Sequence, residues 1–159
     1  MVKFSVKAAG FVLIVTQFLH GTKADELLCE EDKDVNLPHE TECQLYYDCS
    51  STRAPEFATS ERYLRECKYP QLFSTKTFRC EDFENVQCGS RIERKQACEY
   101  QANLCNGPNC GGSCIIQYPS CAEKTDGVHP HGSKLGSPWK MECYKERLMR
   151  TFLPNSFQG

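Results

Sequence analysis

Cys43-Gln44-Leu45-Tyr46-Tyr47-Asp48-Cys49 is the stretch on which the reading of this chain turns. Two cysteines frame a run of leucine and paired tyrosines, residue types that a pleated strand accepts. Alternation along a strand sends Tyr46 and Tyr47 to opposite faces, so one packs inward and the other is offered outward; the residues do not say which. A second run of this kind, Leu72-Phe73-Ser74-Thr75-Lys76-Thr77-Phe78, lies downstream. Between the two, Ser50-Ser51-Thr52-Arg53-Ala54-Pro55 has the chemistry of a loop, and its proline blocks a continuing ladder. Helical periodicity is absent, and a small antiparallel sheet is predicted.

Working outward, the cysteines are Cys29, Cys43, Cys49, Cys67, Cys80, Cys88, Cys98, Cys105, Cys110, Cys114, Cys121 and Cys143, twelve in all. The chain opens with Lys3 and Lys7 and then runs apolar from Ala8 to Leu19, which is the layout of a secretory leader. That apolar run spans roughly 18 Å as a helix, short of the ~30 Å of a bilayer core, so a membrane span is not expected. Thr22 and Ala24 suit a cut before Asp25, making residues 1–24 the signal peptide. An even cysteine count beyond such a leader reads as disulfides in an oxidising compartment. A domain of about 60 residues buries little apolar surface, and closing a loop of roughly 45 residues contributes about 4 kcal/mol on the chain-entropy model. Six cysteines alone leave 15 pairings open.

Loss of residues 1–24 removes Lys3, Lys7 and Lys23 and no acid, so 19 bases against 21 acids become 16 against 21, a net charge of −5. A mildly acidic protein does not suit a phosphate backbone, and nucleic acid is set aside as a partner. Spacing changes after Cys88, where Arg91-Ile92-Glu93-Arg94-Lys95-Gln96 reads as a solvated linker or the start of a short helix. The predicted divisions are 1–24 signal peptide, 25–88 first module, 89–97 linker, 98–120 cysteine-rich insert and 121–159 second module.

The six cysteines from Cys29 to Cys88, with C-Q-L-Y-Y-D-C between the second and third, resemble the chitin-binding type 2, or peritrophin-A, family. Leu37-Pro38-His39, Tyr69-Pro70-Gln71-Leu72-Phe73 and Val86-Gln87-Cys88 carry the same likeness. The resemblance implies bridges Cys29–Cys49, Cys43–Cys88 and Cys67–Cys80, and a small, disulfide-rich, mainly β fold with a three-stranded antiparallel sheet and a short hairpin. One departure is the charged Thr59-Ser60-Glu61-Arg62 in the loop from Cys49 to Cys67, where a short glycine-bearing turn is expected.

Further on, Cys121-Ala122-Glu123-Lys124-Thr125-Asp126-Gly127-Val128-His129-Pro130 resembles the start of another such domain, and Cys143 resembles its third cysteine. Ser137 stands where the second cysteine would be, the sixth is missing with it, and the fourth and fifth are missing together. Losses in complete pairs suggest a degenerate copy that keeps a Cys121–Cys143 bridge, with Leu153 to Phe157 as a remnant of the segment resembling Tyr69 to Phe73. Cys98, Cys105, Cys110 and Cys114 are expected to pair among themselves in one of three ways. The layout resembles secreted matrix proteins of molluscan shells.

Sugar rings have flat C–H faces that a rigid aromatic side chain can cover. The candidate ligand-binding residues are Tyr46, Tyr47, Phe73, Phe78 and Trp139. Burying half of one ring's ~200 Å² yields about 2.5 kcal/mol, whereas millimolar affinity needs about 4 kcal/mol, so several contacts or copies are required. No G-x-S-x-G, H-E-x-x-H or Gly-rich phosphate loop occurs, and Glu81, Asp82 and Glu84 read as surface carboxylates; no catalytic residue or cofactor is expected. His129-Pro130-His131 with Cys110 and Cys114 could imitate a zinc site, but the oxidising compartment favours disulfides and no metal is expected. The acidic run Glu30-Glu31-Asp32-Lys33-Asp34 lacks a calcium-loop pattern, and there is no N-glycosylation sequon. The expected function is a secreted chitin-binding structural protein of an extracellular matrix, with other matrix proteins or mineral as further partners and biomineralisation as its setting. The alternative, a secreted defence protein directed at chitin-bearing microbes, fits the acidic balance less well.

Overall fold

The computed structural model describes residues 29–154 except 31, 56, 58, 60, 105–112 and 135. The leader reading of residues 1–24, the pairing of Cys105 and Cys110, and residues 155–157 of the Leu153 to Phe157 remnant lie outside the described residues.

Strands β1 (Asn36–Pro38), β2 (Leu45–Asp48) and β3 (Leu64–Glu66) form an antiparallel sheet in the order β1-β2-β3. Pleating decides the core: Leu45 and Tyr47 on β2 are buried while Tyr46 and Asp48 are partly exposed. Leu45 and Tyr47 pack with Cys29, Cys49, Tyr63 and Leu64, and Val35, Leu37 and Phe57 close the edge of that cluster. A hairpin follows, β4 (Leu72–Ser74) against β5 (Arg79–Glu81). Phe78 closes its turn at φ 55°, a left-handed conformation unusual for a side chain of that size. The turn is held by the Phe78 N–H on the Ser74 carbonyl at 2.9 Å and by the buried Ser74 Oγ, which accepts from the Lys76 and Thr77 N–H groups at 3.3 Å. Phe73 N–H donates to the Cys43 carbonyl at 2.8 Å and ties the hairpin to the sheet.

Disulfides join Cys29 to Cys49, Cys43 to Cys88 and Cys67 to Cys80. The bridge across the widest loop, Cys43–Cys88, sits in a small core with Leu72 and Phe83, where it ties the start of the middle strand to the segment beyond the hairpin. This small β fold with its three-stranded sheet and hairpin is the one the resemblance implies.

Residues 89–97 correct one expectation, because the charged stretch is docked rather than solvated. Ile92 forms a parallel bridge with Glu42, its N–H donating to the Thr41 carbonyl at 2.7 Å and its carbonyl accepting from Cys43 N–H at 2.9 Å. Arg91 is buried, and its Nη2 donates to the Phe73 carbonyl at 2.9 Å. Arg94 grips both oxygens of Glu42 at 2.8 and 2.7 Å. The cations are drawn in because the junction of sheet and hairpin leaves carbonyls and a carboxylate that need donors.

Next come two 3-10 turns, Ala97–Glu99 and Gln101–Asn103, and the single-turn helix α1 (Cys114–Gln117), which Cys98–Cys114 staples to the first turn. The last elements are β6 (Gly127–Pro130), β7 (Lys140–Tyr144) and β8 (Arg147–Phe152), a second antiparallel sheet in the order β6-β7-β8 with the Cys121–Cys143 bridge in its core beside Met141 and Leu148. The β7–β8 turn has both Lys145 (φ 47°) and Glu146 (φ 62°) left-handed, the geometry of a two-residue hairpin usually given to asparagine and glycine. Contacts compensate. Lys145 N–H donates to Asp126 at 2.6 Å, its ammonium reaches Glu84 at 2.8 Å, and Glu146 pairs with Lys95. Arg147 is fully buried over the Phe83 ring at 4.3 Å and pairs with Glu93 at 2.5 Å. The second sheet is therefore clamped to the 3-10 turn Phe83–Asn85 that follows the hairpin and to the docked stretch of residues 89–97.

Candidate carbohydrate-binding site

Tyr46 sits mid-strand between Pro38 on β1 and Arg65 on β3, its register partners. Its ring lies on that of Phe73, with centroids 4.8 Å apart and planes 7° from parallel. Phe73 is 0% exposed, which corrects its place among the ligand-facing aromatics: the hairpin carries it under the sheet, so it supports Tyr46 rather than meeting a ligand. Tyr47 faces the other way, at 6% exposed, with its hydroxyl on Glu61 at 2.8 Å and its ring stacked with His39. Of the two tyrosines, Tyr46 is the one turned outward.

Beside Tyr46, Phe57, Arg65, Glu66 and Ala102 complete a cleft of about 90 Å³. The Arg65 guanidinium is spent on structure, donating to the carbonyls of Leu64 and Arg53 and to Ser51 Oγ, each at 2.6 Å, which pins the loop beside the cleft. Glu66 accepts from Ala102 N–H at 2.8 Å, joining the insert to the sheet, and burial pushes its carboxyl above the usual range. Phe57, Arg65, Glu66 and Ala102 were not among the sequence candidates. Arg65 and Glu66, directly before Cys67, lie on β3, a three-residue strand too short to show an alternating pattern by itself.

The remaining candidates are elsewhere. Phe78 is 49% exposed at the hairpin turn, where its carbonyl accepts from the Asn36 amide at 3.3 Å. Trp139, partly exposed, precedes β7 in the second sheet, and the Lys134 ammonium lies 4.0 Å from its ring centre. The structure thus brings Tyr46 and Phe73 together and places Trp139 on a different sheet.

For other chemistry, Glu81 accepts from Thr77 Oγ1, and Glu84 from Tyr144 and Lys145, so both carboxylates serve local structure. His129 Nε2 lies 2.7 Å from the Thr125 carbonyl, which fixes that ring in a backbone contact. Among the described residues no group of three or more His, Cys, Asp or Glu side chains is arranged to hold a metal ion, and no helix is long and apolar enough to cross a membrane.

What the first sheet and hairpin define is a small disulfide-stapled β module that fixes an aromatic ring at its surface. Residues 29–88 match the family model of the Chitin binding Peritrophin-A domain. It is a carbohydrate-binding, non-catalytic family. No curated protein and no solved structure matches the chain.

Proposed function

We propose that the chain is a secreted chitin-binding structural protein of an extracellular matrix, with Tyr46 as the ring that meets the sugar. The family match over residues 29–88 carries the choice of ligand. Tyr46 suits the task because the buried Phe73 beneath it removes ring motion before binding, so less ordering cost is left for the complex. Five disulfides among the described residues suit an oxidising, extracellular setting. Phe78 and Trp139 extend the contact on a long polymer. The divisions 25–88, 89–97, 98–120 and 121–159 belong to this reading, with the second sheet as a degenerate copy of the first module; Cys143 on its middle strand, and Cys49 directly after β2, are each bridged to a cysteine upstream of the first strand. Matrix proteins and mineral are the further partners, and biomineralisation the setting. Retention on insoluble chitin beads in moderate salt tests the reading: the oxidised protein is expected to stay bound, and free passage through the beads would overturn it.

A further inference from the structure

Where three segments meet, a second cleft of about 230 Å³ opens between Tyr69 of the first module, Gln117 and Tyr118 at the end of α1, and Met149 and Thr151 on β8. Its walls are rigid. The Tyr69 hydroxyl accepts from Leu148 N–H at 2.7 Å and donates to the Lys95 carbonyl at 3.3 Å, while its ring meets Tyr100 edge-on with centroids 5.1 Å apart. Tyr118 N–H donates to the Cys114 carbonyl at 2.7 Å, and Cys114 is bridged to Cys98. Both rings pack on the core around Met141 and Leu148 and are only partly buried, so each also borders the opening.

The lining selects a class of ligand. Tyr69, Tyr118 and Met149, the last 45% exposed, supply flat apolar surface. Gln117 supplies an amide that both donates and accepts, and Thr151 a hydroxyl. Among the described lining residues the one charged side chain, Arg150, is engaged by Glu142 at 2.6 Å. A neutral, amphipathic unit fits such a lining better than an ion or a charged peptide. A hexose bearing an acetamido arm has the matching features: a C–H face for the rings, and an amide and hydroxyls for Gln117 and Thr151.

We propose that this cleft is a second subsite for an N-acetylated hexose unit of a polysaccharide, built jointly by the first module, the insert and the second sheet. It rests on the carbohydrate-binding reading above and adds a site that residues 29–88 alone do not contain. Two subsites on one clamped body bind a polymer with a shared ordering cost, so loss of one is expected to lower retention by about tenfold or more.

Amide chemical shifts of the isotope-labelled, oxidised full-length chain, titrated with a hexamer of N-acetylglucosamine, test this. Two separate groups of perturbed amides are expected, one around Tyr46 and Arg65 and one around residues 117–118 and 148–151. Shifts confined to the first group overturn the second subsite and leave the chitin reading standing; no shift anywhere overturns both. Concentration-dependent shifts at 117–118 and 148–151 without sugar, and none on adding it, assign the cleft to self-association and overturn the proposal. Tyr118→Ala should lower bead retention about tenfold. Should its packing fail, Gln117→Ala, at an exposed helix end, should lower retention with an unchanged amide spectrum outside the cleft, and full retention overturns the proposal.

Discussion

Tyr46 lies flat on Phe73, the rings 4.8 Å apart, with the partly exposed tyrosine above and the fully buried phenylalanine below. A surface ring that stands on a core ring inherits the core's order. Replacing Phe73 by leucine trims a fully buried ring and is expected to cost about 1–2 kcal/mol of stability. It removes the flat support, so chitin retention should fall at temperatures well below the melting transition, where the protein is still folded, although the melting temperature drops only by several degrees. Equal loss of both would mean that Phe73 acts only as core, and unchanged retention would mean that Tyr46 needs no support.

Tyr47 gives the complementary test. Its hydroxyl donates to Glu61 at 2.8 Å from a ring that is 6% exposed. Tyr47→Phe should therefore cost about 1 kcal/mol in denaturant unfolding and leave bead retention as it was. Tyr46→Ala should lower retention strongly, whatever it also loses in stability by uncovering Phe73. If the two variants exchange these phenotypes, the assignment of the outward face is wrong.

Much of the first module was legible because its signals are local or covalent. The C-Q-L-Y-Y-D-C stretch held the middle strand, and the bridges Cys29–Cys49, Cys43–Cys88 and Cys67–Cys80 in the structure are those the resemblance implies. Which tyrosine faces out was not legible, since alternation fixes opposite faces but not their sense. Phe73 was misjudged for a related reason: an aromatic in a short strand reads as available to ligand, but the hairpin folds back under the sheet and all three residues of β4 are buried. Residues 91–96 look solvated by composition, yet Arg91 and Arg94 answer acceptors on Phe73 and Glu42, 18 and 52 positions away. The second cleft, likewise, draws on segments nearly 80 residues apart, a distance at which no spacing rule operates.

Alkaline titration should report the junction between the sheets. Burial is the main cause that pushes the Tyr69 hydroxyl up to about 12 and Tyr100 further in the same direction. A raised pKa in the fold means that the folded state holds the proton more tightly than the unfolded chain does. The associated stability is complete below the ordinary tyrosine value near 10 and is lost as pH rises through the folded value. Ultraviolet difference titration of the seven tyrosines should therefore contain a component, Tyr69 and Tyr100, that ionises only with unfolding, at about pH 12 and above. One smooth transition of all seven in the folded protein would show that the Tyr69–Tyr100 pair is open to solvent.

On the acid side, two carboxylates of the first module pull in opposite directions. Arg94, bonded to both oxygens of Glu42, holds that carboxyl below the usual range, with Gln44 adding a donor at 3.2 Å. A depressed value means stability that is present above the ordinary carboxylate pKa and lost as pH falls through the folded one. Glu66, raised by burial, has the reverse sign: its contribution is present in acid and lost as pH rises through its folded value. The pair Arg94–Glu42 is part-exposed, with side-chain accessibilities of 36% and 17%, so solvent screening keeps it near the upper end of surface pairs, about 1 kcal/mol. Arg94→Gln should lower stability at neutral pH by that amount, read as a lower melting temperature, and flatten the decline into acid, because the Glu42 contribution is gone. Glu66→Gln should steepen the decline, since the opposing contribution is gone. Melting curves of the wild type and both variants between about pH 3 and pH 7 decide the matter. Three parallel curves would show that neither carboxylate is linked to folding, and with that the docking of residues 89–97 onto the sheet through Arg94 would lose its energetic basis.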